Sequence, residues 1–131
     1  FTLGFAFIVV GLGAYTRLAD AGLGCPDWPG CYGFLTVPVS PERVEKAEAR
    51  FPEAPVEIHK AWWEMIHRYF AGTLGLLILA IAVAAVRARR RLSSGLAGPD
   101  AAALPVRLPI ALLVLVICQA AFGAWTVTLK L

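Results

Sequence analysis

The residues best suited to chemistry lie in one short stretch, Glu57-Ile58-His59-Lys60-Ala61-Trp62-Trp63-Glu64-Met65-Ile66-His67-Arg68. On a helix, Glu64 and His67 stand three residues apart and share a face. Ala71, Leu74, Gly75 and Ile78 continue the face of His67, and the small residues among them leave room for a flat ligand such as a porphyrin. Ionisable side chains at membrane depth are costly and tend to face a bundle interior or a cavity. Imidazole is also a common axial ligand of haem iron. The same residues suit a plainer role. Trp62 and Trp63 mark a membrane interface, where His67 and Arg68 can anchor a helix and Arg68 can snorkel. His59 precedes His67 by about 12 Å along a helix. That spacing prevents the two from ligating opposite faces of one iron, so His59 reads as a loop or interface histidine.

A second group is Cys25-Pro26-Asp27-Trp28-Pro29-Gly30-Cys31. Its prolines and glycine favour a tight turn that lets Cys25 and Cys31 meet, and an outer, oxidising compartment favours a disulfide between them. Such a bond can be a structural staple on a loop with little core of its own, or it can exchange electrons. The third cysteine, Cys118, falls inside an apolar run and reads as an ordinary buried residue.

These residues must be positioned by membrane-spanning helices. Of 131 residues, 59% are hydrophobic and 16% charged, whereas soluble domains carry about 25% charged residues. Mean hydropathy is +0.70. The apolar residues collect into three segments, read as spans over residues 1–16, 61–86 and 108–129. The first is short for a span of roughly 20 residues. The chain opens on Phe1, its single methionine is Met65, and no signal peptide pattern is visible. We therefore read it as a truncated piece of a larger protein, with 1–131 as one membrane domain.

Charge sets the orientation. Residues 87–107 carry five arginines and one acid, Asp100, and residues 17–60 carry five basic and seven acidic residues. The short basic loop is expected on the cytoplasmic side and loop 17–60 on the outer side. The net charge of +3 does not imply nucleic acid, because no basic patch interleaves with aromatics. Within the outer loop, Ser40 can cap a helix that Pro41 and Glu42 begin, and Pro52 and Pro55 end it. This short surface helix reads as a solvated charged face. A weak internal echo links Gly13-Ala14-Tyr15-Thr16 with Gly123-Ala124-Trp125-Thr126. Generic membrane packing and a true repeat both account for it.

Three blocks resemble the haem A synthase family. They are Thr16 through Cys31, with its Gly-Leu-x-Cys-Pro-Asp-Trp-Pro core; His59-Lys60 with Trp63 through Arg68; and Gln119 through Lys130. The resemblance implies an all-α, polytopic membrane bundle in which this chain supplies three transmembrane helices of a four-helix half. It implies oxidation of a methyl group of haem O to the formyl group of haem A for cytochrome oxidase assembly. On that likeness His67 looks like a haem-iron ligand, Glu64 like the catalytic carboxylate, Arg68 like a haem-binding neighbour, and Cys25–Cys31 like the outer-loop disulfide. The second ligand histidine and the haem b half lie beyond Leu131, so the fragment alone is expected to be inactive.

The implied partners are haem O from a haem O synthase, an electron donor the sequence does not name, and membrane lipid, with a homo-oligomer also compatible. The implied location is a bacterial or mitochondrial inner membrane. Two other classes stay open: a non-catalytic membrane haem-binding or assembly module, and a thiol–quinone oxidoreductase. The latter would need a second cysteine pair that this sequence does not offer.

Overall fold

The computed structural model describes residues 1–94 and 105–129. Four helices follow in order: α1 (Thr2–Leu18), α2 (Pro41–Arg50), α3 (Ile58–Ser93) and α4 (Arg107–Thr128). Among the described residues the only strand-like pairing is an isolated bridge between Cys31 and Phe34. The fold is thus all-helical. Helices α3 and α4 are each long and apolar enough to cross a membrane, and α1 is a shorter apolar helix of 17 residues.

α3 is the organising element. It packs against α1 on one side and α4 on the other, and α1 and α4 do not touch. Its 36 residues make a rod about 54 Å long at 1.5 Å per residue, well beyond about 30 Å of hydrocarbon. The helix therefore runs past both limits of the expected span 61–86. At its far end it takes in Arg87, Arg89, Arg90 and Arg91. Arginine and alanine are good helix formers, and positive charge suits a helix C-terminus. The central part of the expected basic loop, residues 95–104, lies outside the described residues.

Segment 17–60 carries more structure than a stapled loop. Cys25, Cys31, Tyr32, Val37 and Ala47 form a buried cluster with Ala61 and Met65 of α3, and Phe34, Phe51, Ala54 and Val56 pack against it. This small cap thus has a core of its own, which corrects the expectation of a loop with little core. α2 contributes Ala47 and turns its charges outward, where Lys46 pairs with Glu42 at 2.6 Å. Ser40 occupies the cap position of α2, but its hydroxyl makes no capping hydrogen bond. The helix starts instead from Pro41 in its first turn, whose fixed backbone angle is already helical.

Much of the remaining apolar surface faces outward. Leu108, Val114, Leu115, Ile117 and Phe122 of α4 are all more than half exposed. So large an apolar surface marks a lipid or protein contact. Cys118 shares that surface: it is exposed, which corrects the reading of a buried core cysteine. Among the described residues only α3 packs against α4, so the remaining faces of α4 have little cover.

Candidate functional site

The first three turns of α3 carry the candidate residues, and the helix sends them in different directions. Ala61 and Met65 face into the core of the cap. Glu64, 5% exposed, lies beneath the loop Cys25–Cys31. Its Oε2 accepts the backbone N–H of Cys25 at 3.0 Å, and its Oε1 accepts from the Arg68 guanidinium in an ion pair. Arg68 also donates to the carbonyl oxygens of Asp27 at 3.0 Å, Pro29 at 3.5 Å, and Gly30. The pair therefore grips the disulfide loop from below: Glu64 holds its first residue and Arg68 holds three carbonyls within it.

The loop is shaped to be gripped. Cys25 and Cys31 form a disulfide, and both are fully buried. Asp27 accepts the N–H groups of Tyr32 at 2.6 Å and Gly33 at 2.8 Å. Those two residues have positive φ, 54° and 78°, a conformation that a short carboxylate acceptor helps to hold. Gly24 lies so close to α3 that an added Cβ would sit 2.6 Å from the Lys60 carbonyl carbon and 2.7 Å from the Ala61 nitrogen. Glycine permits that approach. Between α1 and α2, Tyr32 is buried with its hydroxyl donating to the Pro55 carbonyl at 2.9 Å. Burial pushes its phenol above the usual 10.0.

His67 faces α1. Its ring packs against Gly13, where an added Cβ would come within 2.9 Å of Cε1 and 3.3 Å of Nε2. Its Nδ1 is buried without a hydrogen-bond partner among the described residues. Around this seam Thr16 is buried and donates from its hydroxyl to the Gly13 carbonyl at 2.8 Å. Tyr15 stacks edge-on against Trp63 with ring centroids 4.7 Å apart. Thr126 makes the matching bond to Gly123 at 2.9 Å, but Gly123 has nothing packed against it. The echo between the two segments therefore extends to local hydrogen bonding.

Glu64 and His67 are one turn apart, yet no hydrogen bond joins them among the described residues: one serves the cap and the other the α1 seam. His59 accepts from the Trp63 indole at 3.3 Å on an exposed surface. The grip of Arg68 on the disulfide loop was not read from sequence. The spacing of Glu64 and Arg68, four residues apart, was the available signal, since such pairs meet on a helix. Among the described residues no cluster of three or more His, Cys, Asp or Glu could hold a metal ion. A haem iron asks less of the chain, because the porphyrin supplies most of the ligands. An imidazole in an apolar helix seam, whose Nδ1 makes no hydrogen bond among the described residues, fits that role.

The profile of the COX15-CtaA family, cytochrome oxidase assembly protein, matches residues 1–131. The chain belongs to that family. Among similar proteins, the heme A synthase of Shewanella oneidensis is 48% identical over 130 residues, covering 99% of this chain and 36% of that relative. The heme A synthase of Geobacillus kaustophilus is 36% identical over 87 residues, covering 66% of this chain and 22% of that relative. The chain thus spans about a third or less of the curated relatives it matches. No solved structure matches it. Family membership agrees with the two apolar helices in marking a membrane protein.

Proposed function

We propose that this chain is the amino-terminal part of a heme A synthase, with α1 as a third span beside α3 and α4, the cap on the outer side and the arginine-rich end of α3 in the cytoplasm. The whole enzyme would oxidise a methyl group of haem O to the formyl group of haem A. The observation that carries this reading is the seat of His67: an imidazole held between α1 and α3 against Gly13, with Nδ1 unpartnered among the described residues. Likeness to two heme A synthases supports the substrate class.

In this proposal His67 is an axial ligand to the iron of the haem substrate. Glu64 is the carboxylate nearest the reacting methyl, and Arg68 completes the charged edge of the haem site. Both Glu64 oxygens are already held, by Arg68 and by the Cys25 amide. These contacts fix the carboxylate in place, so it would not need to reorganise as the substrate reacts. The disulfide holds the loop that fixes Glu64.

The test is haem A yield in the full-length protein. His67→Ala is expected to abolish haem A formation, and normal yield from that variant would reject the ligand role. Glu64→Gln is expected to retain bound haem while stalling the oxidation. If Glu64→Gln instead unfolds the cap, the role of Glu64 is structural.

A further inference from the structure

At the end of α3 remote from His67 lies a groove of about 320 Å³ between α3 and α4. The groove is shallow and open along one side. Leu79 and Val83 of α3 face Ile110 and Leu113 of α4 along it, and Arg87 and Arg90 line it too. The α3 residues follow helical spacing, so the apolar stretch and the two arginines form one continuous stripe. From Leu79 to Arg90 the stripe runs about 16 Å at 1.5 Å per residue. Its apolar part, Leu79 to Val86, covers about 10 Å of that, and the arginines take up the rest. Neither Arg87 nor Arg90 has an acidic partner among the described residues.

We propose that this groove binds an anionic phospholipid, with one acyl chain along the Leu79–Leu113 wall and the phosphate between Arg87 and Arg90. Apolar depth with paired cations at the mouth matches an amphiphile whose charge sits at the membrane surface. Guanidinium groups bind phosphate oxygens through two parallel donors. Basic pockets between transmembrane helices are a recurring kind of lipid headgroup site. The proposal needs α3 and α4 to cross the bilayer with the groove open to lipid, and it stands apart from the haem reading.

The experiment uses the full-length protein, reconstituted in vesicles of mixed phosphatidylglycerol and phosphatidylcholine. Native mass spectrometry then counts the lipid that stays bound. Phosphatidylglycerol is expected to be retained in preference to phosphatidylcholine. The double variant Arg87→Gln/Arg90→Gln is expected to retain at least tenfold less. Arg89→Gln/Arg91→Gln, which removes the same charge outside the groove, is expected to retain it like the parent. Equal loss in both double variants would show a general surface charge effect and overturn the site, as would equal retention of the two lipids. Displacement by inorganic phosphate alone would mean a bare anion site and also overturn it. Should Arg87→Gln/Arg90→Gln fail to fold, Val83→Trp fills the groove with its charges intact. Retention is expected to fall in that variant, and unchanged retention would overturn the proposal.

Discussion

Replacing Arg68 with Ala isolates the grip on the disulfide loop. The side chains of Glu64 and Arg68 are 7% and 13% exposed. Removing one partner of such a buried pair strands the other charge and costs about 3–5 kcal/mol. Three loop carbonyls lose their donor in the same step. The loss falls on the segment from Cys25 to Gly33, so local opening reports it better than global unfolding does. At about 1.4 kcal/mol per tenfold, 3 kcal/mol corresponds to roughly hundredfold faster amide exchange in that segment. Hydrogen exchange with mass spectrometry in a bilayer reads this directly. In the double variant Arg68→Ala/Glu64→Gln no charge is stranded. What remains is the lost hydrogen bonding, about 1–2 kcal/mol, or roughly tenfold. If the single variant exchanges like the parent, or the double variant exchanges as fast as the single, the pair does not hold the loop.

Gly24→Ala forces a methyl group against the Lys60 and Ala61 backbone, and thermal unfolding should show a destabilisation of about 1–3 kcal/mol. Gly13→Ala places a Cβ against the His67 ring, so the optical spectrum of bound haem is expected to shift while the cap, read by exchange in residues 25–33, stays unchanged. Tyr32 should contribute full stability below the usual phenol value of 10.0 and lose it as pH rises through its raised folded value. The measurement is the pH profile of loop protection, in which Tyr32→Phe should be flat over that range.

Helices α3 and α4 were legible because apolar runs of spanning length are a strong signal, whereas α1 is a shorter apolar helix. The surface helix was legible from Pro41 and the prolines after it. The Cys25–Cys31 bond was readable from a short loop of turn formers. Three features were not. The core of the cap joins Val37, Ala47 and Met65, which are far apart in sequence and show no periodicity. The partners of Arg68 are backbone carbonyls, which no residue type announces. The divergence of Glu64 and His67 depends on what flanks α3, since a shared face spans both the cap and the α1 seam. Cys118 was misread because an apolar run looks alike whether it faces protein or lipid.

The account turns on the His67 imidazole as a ligand to haem iron. His67→Gly in the full-length protein removes the ring and leaves a space against Gly13 that free imidazole can enter. The account predicts that the spectral contribution of the haem held at this site is lost in His67→Gly and returns as imidazole is titrated in. A His67→Gly spectrum identical to the parent without imidazole would contradict it.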